Sequence, residues 1–158
     1  MPFSEMHTQA PDALSLRWSV NVSAGRGLDH LTDPRHLGEW LGEPLKFERE
    51  IGGEVRVDHG DGYVCRSVIH AADGSGFACS WKFPDEHETR IEVRFVAEDP
   101  DRSILELRHV GLAELRASYI PGWMTHLTFF EASVEGAPMP PGQFWNLHGS
   151  FAGLAEPM

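Results

Sequence analysis

The sequence predicts an α+β domain: an antiparallel sheet of about seven strands covered by a long C-terminal helix, with two short helices after the first strand. Three observations carry this expectation. Residues 14–22 alternate strictly between apolar and polar side chains. Residues 44–111 break into short alternating segments separated by turn residues. Residues 119–135 place apolar side chains at helical spacing.

The first strand is read from Leu14, Leu16, Trp18, Val20 and Val22, with Ser15, Arg17, Ser19 and Asn21 between them. A period of two buries one face of a strand and wets the other. A weak helix follows over 24–31, where Gly25 and Gly27 each cost about 1 kcal/mol relative to alanine. The next helix is better marked: Asp33 can accept from the orphan N–H groups, Pro34 fits the first helical position, and Gly42 ends a stretch that puts Leu37, Trp40 and Leu41 on one face.

The strands that follow are expected over 45–51, 54–59, 63–70, 77–83, 89–98 and 103–110. Turn signals part them, among them Gly52-Gly53, Gly60-Asp61-Gly62, Asp73-Gly74-Ser75-Gly76 and Asp99-Pro100-Asp101. Phe77, Cys79, Trp81 and Phe83 form one inward set; Ile91, Val93 and Phe95 form a second, and Leu105 and Leu107 a third. A sheet with one buried face needs a cover. The segment 119–135 supplies it through Ile120, Trp123, Met124, Leu127, Phe130 and Val134, with Pro121 in the first turn and Gly136 at the end.

The chain has 158 residues, which suits one domain. We divide it into a flexible N-terminal segment (1–12), a main folded domain (13–136) and a C-terminal tail (137–158). Twenty-four acidic against thirteen basic residues give a formal charge of -11. A field of that sign repels phosphate, so neither nucleic acid nor an anionic membrane surface is an expected partner. No apolar run approaches the roughly 18 residues that span a bilayer. The opening Met1-Pro2-Phe3-Ser4-Glu5 has neither the basic nor the apolar region of a secretion signal, so a soluble cytoplasmic protein is expected. Cys65 and Cys79 lie on strand patterns without a CxxC motif and read as reduced core thiols, with a cross-strand bridge as the geometrically possible alternative.

The order of elements, and a set of short words within it, carry a resemblance. The words are Asp33-Pro34 through Trp40, Ile51-Gly52-Gly53-Glu54-Val55, Gly62, Cys79-Ser80-Trp81, Thr89-Arg90-Ile91-Glu92-Val93, Leu105-Glu106-Leu107-Arg108-His109-Val110-Gly111-Leu112 and Gly122-Trp123. In this order and spacing they resemble the helix-grip fold of the START-like, or SRPBCC, superfamily, and within it the family named for the activator of heat-shock protein 90 ATPase homologue. The resemblance implies a cavity between sheet and helix for an apolar small molecule. It carries no catalytic motif, no cofactor and no metal. Gly25 and Gly27 depart from the pattern and are expected to loosen the first helix or widen the space beneath it.

The expected cavity walls are Trp18, Trp40, Trp81, Phe83, Phe95, Trp123, Leu127 and Phe130. Aromatic walls suit planar ligands because they offer large contact areas at low entropic cost. His109 shares parity with Leu105 and Leu107 and points inward, either to orient a ligand or act as the candidate acid–base residue, or as a core histidine satisfied by a backbone carbonyl. His126 lies at the edge of the helical stripe. Arg49 and Arg66, if inward, would anchor a ligand carboxylate. The run Asp85-Glu86-His87-Glu88 reads as a solvent-facing turn. The nine histidines include no HExxH and no cysteine–histidine cluster, and Asp58-His59-Gly60-Asp61 is too slight a pattern to define a metal site. In the tail, Phe144, Leu147, Phe151 and Leu154 line one side of a short helix. That much apolar surface should dock on its own domain, on a second subunit in a homodimer, or over the pocket mouth.

Three functions compete. The leading one is binding of an apolar or aromatic small molecule. The second is an enzyme of the aromatase, cyclase or hydratase type with His109 as acid–base. The third is an interaction module that regulates a chaperone. Several inward polar groups beyond His109 would favour the enzyme, and a wholly apolar cavity would favour binding.

Overall fold

The computed structural model describes residues 3–7 and 12–155. Strands β1 (Phe3–His7) and β2 (Leu14–Val20) are followed by helices α1 (Ala24–Leu31) and α2 (Pro34–Leu37). Six strands come next: β3 (Glu43–Phe47), β4 (Glu54–Asp58), β5 (Val64–Asp73), β6 (Gly76–Trp81), β7 (Thr89–Asp99) and β8 (Arg102–Val110). A 3-10 turn leads into α3 (Arg116–Val134), and a second leads into α4 (Phe144–Ala155). This is the α+β, helix-grip arrangement expected from the pattern.

The strands form one sheet in the order β1-β2-β8-β7-β6-β5-β4-β3, antiparallel throughout. α1 and α2 carry the chain from β2 to the far edge, and the meander then returns strand by strand until β8 pairs with β2. The sheet has eight strands rather than about seven. The extra one is β1, which lies in the segment expected to be flexible and pairs with β2 at the edge.

Register explains where the interior is solid. Trp18 stands opposite Leu105, which stands opposite Phe95, and Leu16 stands opposite Leu107, which stands opposite Val93. All six are buried. The other face of the same strands is wet and carries cross-strand ion pairs. Arg17 lies opposite Glu106 at 3.3 Å and Glu92 opposite Arg108 at 3.9 Å. Exposed pairs of this kind contribute about 0.2–1 kcal/mol each.

α1 is capped by Ser23, whose side chain accepts from the Arg26 N–H, and α2 by Asp33, which accepts from the Arg35 N–H at 2.9 Å. Gly27 does not widen the space under α1. A Cβ built there would lie 2.7 Å from the Phe95 ring, so the missing side chain lets helix and sheet close up. Gly25 has nothing within 4 Å and faces open space.

α3 is longer than expected at its start, and Pro121 falls inside it rather than in its first turn. At its end the N–H of Gly136 (φ 77°) bonds Ser133 O and the N–H of Ala137 bonds Ala132 O, each at 3.0 Å. That pairing is a Schellman cap. Buried residues lie on more than one face of α3, since Phe129 is as inaccessible as Trp123. The second face is covered by α4, so the tail packs on its own domain: the Phe144 ring lies 5.6 Å from Phe129 and 4.9 Å from His126. Cys65 and Cys79 are buried free thiols, and the register sets Ile69, not Cys65, opposite Cys79. Burial pushes both thiols up to about 12. Among the described residues no helix is long and apolar enough to cross a membrane.

Candidate ligand cavity

A cavity of about 750 Å³ lies away from the centre of the sheet. It opens at the end marked by β6, between the residues after α2, the β4–β5 turn, one face of α3 and the tail. α3 divides its labour by helical spacing. Ile120, Trp123, Leu127 and Phe130 join the core cluster, whereas Tyr119, Gly122, His126 and Phe129 face the cavity, with Trp123 and Phe129 common to both.

Of the residues expected to form the site, Trp40, Trp81, Phe83 and Trp123 line this cavity. Trp18, Phe95, Leu127 and Phe130 do not. They fill the sheet–helix contact, where Phe130 meets Phe95 at 6.1 Å and Trp40 at 5.3 Å. His109 is inward, as its parity predicts, but fully buried and absent from the cavity wall. Its Nε2 lies 2.7 Å from Thr89 Oγ1 and its Nδ1 2.9 Å from the Trp123 indole nitrogen. Burial holds its pKa down to about 3. An imidazole bonded in this way ties β7, β8 and α3 together.

The polar groups that do face the cavity come from turns and from the two C-terminal helices. His59 follows β4, where its N–H donates to Tyr63 O at 2.9 Å. Its ring packs edge-on against Trp81, Phe83 and His126, at 5.7, 4.9 and 5.6 Å. His59 Nε2 is buried without a hydrogen-bond partner among the described residues, and so is Trp40 Nε1. His126 donates from Nδ1 to the Trp40 carbonyl at 2.9 Å, which leaves Nε2 with the lone pair in the neutral ring. Burial, with the neighbouring imidazole second, holds His59 down to about 3. Burial likewise holds His126 down to about 4. Both rings are therefore neutral at physiological pH.

A second polar chain crosses the wall. Trp81 Nε1 donates to Tyr119 Oη at 2.9 Å, and Tyr119 donates to Glu86 Oε1 at 2.5 Å. Burial and this carboxylate push the Tyr119 phenol well above its ordinary value. Tyr63 donates to Asp85 at 2.5 Å and stacks on Phe83 at 4.3 Å. The 85–88 run is thus a structural and cavity-lining turn, not only a solvated one. Glu86, Tyr119 and His59 are site residues that periodicity misses. Arg49 lines a separate cavity of about 310 Å³ between α1 and the sheet and donates to Thr32 Oγ1 at 2.9 Å. Arg66 is exposed and reaches Glu54 at 3.3 Å.

None of the curated proteins matches the sequence. Solved structures do. The crystal structure of CalU16 from Micromonospora echinospora superposes with a TM-score of 0.71 at 21% identity, covering 92% of this chain and 89% of that one. A Bordetella parapertussis protein encoded by gene BPP1335 gives 0.73 at 17% identity, covering 96% and 88%. DynU16, from the dynemicin biosynthetic locus, gives 0.68 at 21% identity, covering 80% of this chain and 49% of that one. These likenesses establish a shared helix-grip fold. A family model described as activator of Hsp90 ATPase homolog 1-like protein matches residues 29–135, well over half of the sequence, and the chain therefore belongs to that family, of SRPBCC type.

Proposed function

We propose that the protein binds a small, largely aromatic molecule carrying a hydroxyl or carbonyl group in the 750 Å³ cavity. The observation that carries this reading is the composition of the wall. Trp40, Trp81, Phe83, Trp123, Phe129 and Phe144 supply flat apolar surface. Two neutral imidazoles and the Trp40 indole N–H supply hydrogen-bonding capacity, and part of it is unused by the protein. Pockets with mostly apolar walls and a few placed polar groups are the usual form of small-molecule sites. An unpartnered buried donor or acceptor costs about 1–3 kcal/mol, which a ligand that pairs with it recovers.

A second reading is acid–base catalysis on the bound molecule, and the cluster of His59, His126, Glu86 and Tyr119 favours it over His109. General acids and bases work best with a pKa near the operating pH. The two imidazoles sit well below that range, at about 3 and about 4, so binding is the stronger reading. The test is a tryptophan-fluorescence titration with fused-ring phenols and quinones. DynU16's biosynthetic locus is the reason to include biosynthetic intermediates. Saturable quenching that His59→Leu weakens supports the proposal. Turnover of any of these compounds would favour the second reading, and no quenching by the whole set would refute the first.

A further inference from the structure

A second side-chain cluster lies beside the cavity, outside the reach of any spacing motif. His30 stands in the last turn of α1, His36 in α2, and Glu39 just beyond α2. Their nearest possible ligand atoms, one from each residue, all lie within 4.8 Å of one another. The two imidazoles stack with centroids 4.1 Å apart and planes 15° from parallel. Ser133 of α3, 4% exposed, completes the group. Its hydroxyl lies 2.8 Å from His30 Nε2 and donates to Glu39 Oε1 at 2.7 Å, and His36 Nδ1 lies 3.2 Å from that same oxygen.

We propose that His30, His36 and Glu39 form a binding site for a first-row divalent cation of the zinc type. Two imidazoles and one carboxylate are a known zinc donor set, and three protein ligands leave a position open to water or a small molecule. The charge of -11 draws cations to the surface. Tetrahedral zinc with bonds of about 2.1 Å sets donors about 3.4 Å apart, so the side chains must close by about an ångström. The His36 and Glu39 side chains, 37% and 35% exposed, have the freedom to do so. Glu39 also belongs to the wall of the 750 Å³ cavity, so a cation held here borders the ligand space.

The probe is zinc chloride titrated into the full chain by calorimetry near neutral pH, with cobalt(II) absorption as a second readout. One equivalent of zinc should bind. His36→Ala and Glu39→Gln should each weaken it at least about tenfold. His70→Ala, which removes an exposed imidazole outside the cluster, should leave it unchanged. Cobalt should give an intense visible spectrum of low coordination number in the wild type, a readout that needs no variant to fold. Absence of zinc binding overturns the proposal, as does equal affinity in His36→Ala and Glu39→Gln with circular dichroism unchanged.

Discussion

The Trp123 indole nitrogen lies 2.9 Å from His109 Nδ1, and because an indole N–H can only donate, this contact fixes the imidazole tautomer. Nδ1 accepts, Nε2 carries the proton and donates to Thr89 Oγ1 at 2.7 Å, and Thr89 passes its own proton towards Trp81 O at 3.2 Å. The chain is closed and buried. Trp123→Phe removes the donor and leaves Nδ1 without a partner, at an expected cost of about 1–3 kcal/mol by urea denaturation. The double variant Trp123→Phe with His109→Leu should cost less than the sum of the two single changes. Additive losses would contradict the coupling.

Acid should destabilise the protein through its histidines. His59 and His109 are held to about 3 and His126 to about 4, against 6.5 for an unperturbed imidazole. Between these values the unfolded chain binds more protons than the folded one, so stability rises with pH and flattens above about 6.5. Thermal melts should show Tm climbing across this window. By about pH 5.5 the carboxylates have largely titrated, so the upper part of the rise belongs to imidazoles. His59→Gln should flatten that part. A Tm that is constant or falls from pH 5.5 to 6.5 would contradict the assignment.

The two glycines of α1 should respond oppositely to alanine. At Gly27 the new methyl meets the buried Phe95 ring at 2.7 Å, and overpacking of this kind costs about 1–3 kcal/mol. At Gly25 nothing lies within 4 Å, and the gain in helix propensity, up to about 1 kcal/mol, goes unopposed. Thermal melts of Gly27→Ala and Gly25→Ala check the signs directly.

The sequence made the sheet largely legible and the site only partly so, for a physical reason. Alternation tells which way a strand residue points, and Trp18, Leu107 and His109, inward by parity, are all buried. It does not tell whether neighbouring strands fill the space beyond, and the rung of Trp18, Leu105 and Phe95 does fill it. His59 and Glu86 sit in connections, where no period defines a face, and Tyr119 lies one position off the α3 stripe. β1 escaped because Phe3–His7 shows no apolar alternation.

The tail is part of the cavity, since Phe144, Trp145 and His148 belong to its wall. Phe144 is half-buried, so Phe144→Ala should cost about 1–2 kcal/mol, below the value for a fully buried ring. It should also weaken ligand binding. Removal of residues 137–158 should lower Tm further by baring Phe129. An unchanged Tm after that truncation would contradict the packing of α4 on α3.

Native mass spectrometry of protein purified without denaturation tests the central claim most directly. The account predicts a discrete small-molecule adduct, either retained from the host or acquired from the fused-ring set. That adduct should be lost on denaturation and absent from the paired variant Trp81→Ala, Phe83→Ala. Bare chain under every condition, or an adduct that survives the paired substitution in a folded protein, would contradict it.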